Sequence, residues 1–136
     1  VMSGMDVIVC LAPLTPRTKG LIGKRELDLI PSNAVFVNVS RGAIVDSDAL
    51  ITRLKRGDII AGLDVFDPEP IPPDSEISQL PNVFLSPHIA GVTAPSYPKM
   101  FSLMVDEMIR FFNGHEPYFE LSPRSIANRR GTDYEA

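Results

Sequence analysis

The chain alternates between short, nearly continuous apolar runs and segments in which apolar residues recur every three or four positions. A continuous run is typical of a strand covered on both faces of its sheet, and the wider spacing is typical of a helix. The runs predict four strands, over residues 6–12, 34–39, 59–65 and 82–86. Strands that alternate with helices favour parallel pairing and right-handed crossovers. The expected fold class is therefore α/β, a doubly wound parallel sheet.

Two helices are predicted between the first three strands. The first covers residues 24–30, where Pro31 stops it. The second begins after Asp46, a good N-cap, and runs to Arg56. Gly57 then fits the position at which a helix commonly ends in a left-handed residue.

A third, longer helix is predicted over residues 96–112, where large apolar residues recur at spacings of three and four. Asn113 and Gly114 are typical of its end. We interpret the apolar stripe as core or interface rather than as a cofactor site. The polar residues 122–136 are predicted to form a mobile tail.

Composition and charge exclude several classes of function. The net charge of −4 argues against a general nucleic-acid binder, whose surface would be basic. No apolar run approaches the roughly 20 residues of a membrane span, and the first residues lack the pattern of a signal peptide. Cys10 is the one cysteine and lies in an apolar run, which predicts a buried thiol and suits a reducing compartment. We therefore expect a cytoplasmic protein with no nucleic-acid partner and no membrane.

Three short segments near the ends of apolar runs place an arginine, a carboxylate and a histidine just after three successive predicted strands. They are Asn38-Val39-Ser40-Arg41-Gly42, the segment 64–70 that contains Glu69, and Pro87-His88-Ile89-Ala90-Gly91. Ligands of parallel α/β sheets bind outside the carboxyl ends of the strands, where these segments are expected to meet. A fixed cation, a histidine that exchanges protons near neutral pH and a carboxylate beside it are what the polarisation and protonation of a carbonyl require.

Each of these residues also has a plainer interpretation. Arg41 could be a surface salt-bridge residue, and Glu69 could be a solvated loop acid. Asp64 could cap the end of a strand or helix. His88 could be a satisfied structural histidine, as lone histidines often are, and His115 is expected to be incidental.

The phosphate-binding glycine turn of a dinucleotide fold, Gly-x-Gly-x-x-Gly, does not occur in this sequence. The chain also begins just before a predicted core strand. We therefore expect the sequence to be the second half of a larger domain, and the 136 residues alone to be inactive.

The stretch from Asp6 to about Thr93 resembles the C-terminal half of the nucleotide-binding domain of the D-isomer-specific 2-hydroxyacid dehydrogenases. The resemblance covers about two-thirds of the chain. It rests on motifs in the right order and spacing, which include Pro13-Leu14-Thr15 with Thr18, Asn38 to Gly42, Leu63 to Phe66 with Glu69-Pro70, and Pro87 to Ala90. It implies half of a Rossmann-like sheet over residues 1–93, a long helix and return segment over 94–121, and the tail over 122–136.

The resemblance also implies roles for the three candidate catalytic residues. Arg41 would hold the carboxylate and keto oxygen of a small 2-keto acid, which a guanidinium fork can bind bidentately. Gly42 would let the chain turn there. His88 would donate the proton in ketone reduction and accept it in alcohol oxidation. Glu69 would hydrogen-bond His88, orient its ring and favour its charged form.

The implied cofactor is NAD or NADP, and no metal is implied. Asp64 would accept a hydrogen bond from the nicotinamide carboxamide. Leu11 stands where many family members have histidine, and Ser40 stands where alanine is common. The residues expected to surround the nicotinamide and its ribose, besides Arg41, Asp64 and His88, are Leu11, Ala12, Pro13, Thr18, Val39, Ser40, Ala90 and Gly91.

Two functions remain open at this level. The first is hydride transfer between NAD(P)H and a 2-keto acid or D-2-hydroxy acid, by a full-length protein expected to be a homodimer. The alternative is a corepressor of the same superfamily, which keeps the fold and the three polar residues but acts as a dinucleotide-sensing binding module.

Overall fold

A four-stranded parallel sheet forms the centre of the first part of the chain. The computed structural model describes residues 2–130, and the side chains of residues 2–126. The strands lie side by side in chain order, each parallel to the next. The strands are β1 (Val7–Cys10), β2 (Val35–Asn38), β3 (Ile60–Leu63) and β4 (Val83–Leu85). The predicted α/β class and the four parallel strands are confirmed, with each strand shorter than its apolar run.

The last residues of the four strands lie in one row across the sheet. Cys10 pairs with Asn38, Asn38 with Leu63, and Leu63 with Leu85. Because all four strands end at the same level, the segments that follow them begin along a single edge of the sheet.

The two crossover helices cover one face of this sheet. They are α1 (Lys24–Asp28) and α2 (Ser47–Leu54), and α2 begins after Asp46, whose carboxylate accepts a hydrogen bond from the Ala49 N–H at 2.9 Å. Leu27 and Leu54 from the helices are buried with Phe36 from β2 in one cluster. Gly57, predicted to end the second helix, takes the left-handed conformation with φ 73°. Right-handed crossovers between strands in sequential order place successive helices on the same side.

The opposite face of the sheet carries apolar side chains that stay exposed. Val7 is 58% exposed, Val9 49%, Ile60 54% and Phe84 71%. The apolar run of the first strand predicted cover on both faces, and this is wrong for the described part of the chain. Val7 and Val9 point away from the face that the crossover helices cover, because successive strand residues face opposite sides.

A second compact unit begins at Ile89, whereas the sequence placed the boundary after residue 93. It contains α3 (Ser96–Phe112), which has the predicted bounds, and α4 (Pro123–Arg130). The predicted mobile tail thus contains a helix, and residues 131–136 lie outside the described residues. None of the helices within residues 2–130 combines the length and the hydrophobicity that a membrane span requires.

Arg53 of α2 is a buried cation that ties three segments together. Its side chain, 3% exposed, donates to the carbonyl oxygens of Leu27 at 3.1 Å and Ile30 at 3.0 Å, and pairs with the carboxylate of Asp58. The hydrogen bond from Arg53 lowers the pKa of Asp58 below its usual range. The contribution of the pair to stability is therefore present above the ordinary carboxyl pKa, and it is lost as the pH falls through the lower value of the folded state.

Replacing Arg53 by methionine should lower the free energy of unfolding at pH 7 by about 2 kcal/mol or more, since hydrogen bonds to a charged group are lost. The measurement is urea unfolding of the natural polypeptide that carries this sequence, here called the parent polypeptide. Arg56→Met is the matched control, because Arg56 is 47% exposed and pairs with Asp28 at the surface. Equal losses in the two variants would contradict the assigned role of Arg53.

Candidate functional site

Glu69 and His88 form a hydrogen-bonded pair at the carboxyl edge of the sheet. The Oε1 atom of Glu69 lies 2.9 Å from Nδ1 of His88. Both side chains are partly accessible, 36% for Glu69 and 44% for His88. His88 adopts a left-handed backbone with φ 54°, and its N–H donates to the Asp64 carbonyl at 2.9 Å. A non-glycine residue in this region costs energy, so the surrounding bonds must hold it there.

Asp64 follows β3 and lies between the segments of Arg41 and His88. It is 3% exposed, and its N–H donates to the carbonyl of Asn38 at 3.0 Å. The Ser86 hydroxyl donates to its Oδ1 atom. Buried carboxylates are stable only where such donors satisfy them. Ser86 was not among the residues predicted from the sequence, although its position two residues before a predicted catalytic histidine was an available signal.

Arg41 lies in a segment that Asn38 holds in place. We call residues 39–44 the arginine loop and residues 64–69 the acid loop. The Asn38 amide donates to the Arg41 carbonyl at 3.1 Å, and its oxygen accepts from the Ser40 N–H at 3.1 Å. The Arg41 side chain is exposed, with Nη1 donating to the Ser40 carbonyl at 2.6 Å. Asn38 was also missed as an individual residue, although an asparagine that bonds the backbone two residues ahead is a common turn signal.

Gly42 is required for space as well as lying at a turn. It begins a short 3-10 turn over Gly42–Ile44, so the chain does turn there, and its φ is not positive. A Cβ atom at Gly42 would lie 1.9 Å from the carbonyl carbon and oxygen of Phe66. The arginine loop and the acid loop therefore touch, backbone against backbone, at this point.

The segment after β1 contributes an apolar side chain and a closed loop to the same edge. Leu11 is 70% exposed, and the carbonyl of Ala12 accepts a hydrogen bond from the Ser40 hydroxyl. The Thr18 hydroxyl donates to the Pro13 carbonyl at 2.6 Å and accepts from the Thr15 N–H at 2.8 Å. Thr18 thus closes its own loop, a role that the sequence did not indicate.

The remaining predicted residues follow β2 and β4. Val39 is partly buried directly after β2. Ala90 and Gly91 are exposed and belong to the second unit, where the Gly91 carbonyl accepts from the Ser96 hydroxyl at 3.2 Å. In the described part of the chain, no three metal-ligating side chains converge.

The side chains at the edge of the first unit fit the nicotinamide end of a dinucleotide. A nicotinamide ring needs an apolar surface, and its carboxamide needs a hydrogen-bond acceptor. Leu11 presents exposed apolar surface after β1, and the buried carboxylate of Asp64 lies after β3. These residues would hold the ring end of the cofactor, and they offer no cation for its phosphates.

Comparisons with known proteins agree with this geometry. The family described as D-isomer specific 2-hydroxyacid dehydrogenase, NAD binding domain, matches residues 1–90. A glyoxylate/hydroxypyruvate reductase B of an Enterobacter species is 41% identical over 111 residues, which are 81% of this chain and 34% of that protein. The chain thus spans about one third of the length of this curated relative.

Two solved structures share the fold. A D-isomer specific 2-hydroxyacid dehydrogenase of Xanthobacter autotrophicus Py2, in complex with NADPH and MES, superposes with a TM-score of 0.78 at 36% identity, covering 90% of this chain and 50% of that one. A D-lactate dehydrogenase of Lactobacillus jensenii with NAD+ gives a TM-score of 0.82 at 30% identity, covering 89% and 41%. The sheet, the row of strand ends and the matched residues lead to one conclusion: this chain belongs to the D-isomer specific 2-hydroxyacid dehydrogenase family, and it carries part of the NAD-binding domain.

Proposed function

We propose that this chain supplies the proton-transfer and carboxylate-binding residues of an NAD(P)-dependent reductase of small 2-keto acids. The observation that carries the proposal is the 2.9 Å bond between Glu69 and His88, on the same sheet edge as an exposed arginine. A carboxylate, an imidazole and a guanidinium together can bind a keto acid and protonate its carbonyl oxygen.

Arg41 binds the substrate in this proposal. A 2-keto acid presents a carboxylate next to a carbonyl oxygen, and a guanidinium offers paired N–H donors to such oxygens. Its fixed positive charge also stabilises the negative charge that develops on the keto oxygen. The bond from Nη1 to the Ser40 carbonyl is local and exposed, so substrate oxygens can replace it.

His88 delivers the proton. Glu69 accepts the hydrogen bond of Nδ1–H, which leaves Nε2 as the nitrogen that exchanges a proton with substrate. In reduction, Nε2–H of the imidazolium gives its proton to the keto oxygen, and the neutral ring keeps its bond to Glu69. In oxidation, the neutral Nε2 takes the proton from the hydroxyl. A bound nicotinamide supplies or accepts the hydride at the carbonyl carbon.

Asp64 and the β1 side serve the cofactor in this proposal. The Asp64 carboxylate, oriented by Ser86, accepts from the carboxamide. The segments predicted to surround the ring and ribose begin at the end of β1, where Thr18 shapes the loop, and at the end of β2. Similar structures contain NADPH or NAD+, and either dinucleotide is consistent with the residues of this chain.

The proposal also names a substrate class, an oligomeric state and a cellular location. Glyoxylate and hydroxypyruvate are the first candidates, because the curated relative is named for them. A homodimer and a cytoplasmic location are proposed for the full-length protein.

The relatives named as reductases and dehydrogenases favour catalysis over the corepressor alternative.

The direct test is turnover by the parent polypeptide. Purified protein should oxidise NADH or NADPH when glyoxylate or hydroxypyruvate is added. The loss of absorbance of the reduced nicotinamide measures this oxidation. Dinucleotide binding without turnover of any 2-keto acid would favour the corepressor alternative instead.

Arg41→Lys in the parent polypeptide should lower kcat/KM for the keto acid at least ~100-fold, because lysine keeps the charge but loses the two-pronged geometry. Steady-state kinetics with varied keto acid measure this loss. Arg56→Lys is the matched control, since Arg56 forms a surface pair with Asp28. Near-normal kinetics of the Arg41 variant would exclude the substrate-binding role.

Glu69→Gln should lower kcat about 10-fold and leave the KM for the keto acid nearly unchanged. A neutral amide still accepts a hydrogen bond, but it stabilises the imidazolium less than a carboxylate does. Glu76→Gln is the control, because Glu76 pairs with Lys55 at the surface, at 2.7 Å. An unchanged kcat, or a change confined to KM, would contradict the assigned pair.

A further inference from the structure

We propose that Gly42 and Ser47 are positioning residues that set the distance between Arg41 and the Glu69–His88 pair. The inference deepens the proposed function and rests on it. A Cβ atom at Gly42 would lie 1.9 Å from the Phe66 carbonyl group and 2.5 Å from its Cα. The obstacle is backbone, so no flexible side chain can move aside to accommodate it.

The arginine loop cannot retreat from this contact without losing hydrogen bonds. The Asn38 amide holds the carbonyl of Arg41 at 3.1 Å. The Gly20 N–H holds the carbonyl of Ala43 at 2.9 Å. Gly42 is thus fixed by bonds to the residues on both of its sides, and these bonds are made by two different segments of the chain.

The acid loop is held in the same way on both sides of Phe66. The N–H of Asp64 donates to the Asn38 carbonyl at 3.0 Å. The Ser47 hydroxyl, at the start of α2, donates to the carbonyl of Asp67 at 2.9 Å. Asn38 therefore bonds to both loops, and Ser47 fixes the far side of the acid loop.

The contact consequently works as a spacer between two functional groups. The carboxylate and the keto oxygen of a 2-keto acid are a fixed distance apart, so Arg41 and His88 must be a matching distance apart. An error of about 1 Å in such an arrangement can cost about 100-fold in rate. Neither Gly42 nor Ser47 is assigned a contact with substrate, so both act through the residues beside them.

Gly42→Ala in the parent polypeptide should lower kcat/KM for the keto acid about 100-fold. The Kd for NADH or NADPH should rise by a much smaller factor, because only the ring end of the dinucleotide faces the two loops. Gly62→Ala is the matched control. A Cβ atom at Gly62 would meet only Cγ2 of Val37, at the ordinary distance of 3.9 Å. Crystal structures of the parent polypeptide and of the Gly42 variant should show the arginine loop or the acid loop displaced by about 1 Å.

Ser47→Ala is the second variant, and it adds no volume that could prevent folding. It should lower kcat/KM about fivefold, the equivalent of one neutral hydrogen bond, and again by a larger factor than any increase in the dinucleotide Kd. Ser125→Ala is its control, because the hydroxyl of Ser125 accepts a hydrogen bond from the Ser122 hydroxyl at 3.2 Å, within the second unit. An unchanged kcat/KM in the Ser47 variant would overturn the positioning role of Ser47. If the Gly42 variant does not fold, the kcat/KM of the Ser47 variant decides the proposal.

The outcomes separate this inference from the proposed function. A parent polypeptide that turns over no 2-keto acid contradicts the proposed function, and the crystal structures then decide whether the contact spaces the loops. Loops that stay in place in the Gly42 variant overturn the spacer. An active parent polypeptide whose Gly42 and Gly62 variants have equal kcat/KM overturns it as well.

Discussion

Two backbone hydrogen bonds of Asp64 determine how the site is assembled. Its N–H donates to the carbonyl of Asn38, and its carbonyl accepts from the N–H of His88. Because Asn38 also holds the carbonyl of Arg41, a continuous series of bonds leads from the arginine to the histidine. Asp64 and Asn38 are 3% and 2% exposed, and buried bonds of this kind are costly to leave unmade. The candidate side chains lie on loops, and hydrogen bonds to residues at the ends of the strands therefore hold these loops in place.

Much of the fold could be predicted because its signals are local. Apolar runs marked the four strands, and Asp46 marked the start of α2, which ends at Leu54, two residues before the predicted end at Arg56. The sequence could not indicate what covers each face of a strand, since Val7 and Val9 are apolar whether or not a partner packs on them. The helix α4 was missed because its polar composition lacks an apolar stripe. Ser122 followed by Pro123 was an available start signal, and the Ser122 hydroxyl does accept from the Ser125 N–H.

The sequence named candidate site residues but not the contacts that hold them in place. Arg41, Glu69 and His88 became candidates because their motifs follow strand ends and resemble a known family. The tie from Ser86 to Asp64 joins residues that lie 22 positions apart in the chain. The contact between Gly42 and Phe66 likewise depends on the approach of two separate loops. Such contacts depend on the relative placement of whole loops, which neither periodicity nor a single motif specifies.

The alignment of the strand ends has a consequence for how the chain can tolerate changes of length. Cys10, Asn38, Leu63 and Leu85 form one row, and side chains alternate between the two faces of a sheet. One residue inserted within β3 would turn Asp64 towards the opposite face and move it out of line with Asn38 and Ser86. Insertions between the acid loop and β4 leave the row intact. Natural variation in length should therefore accumulate in the connecting segments, while the number of residues in each strand stays fixed.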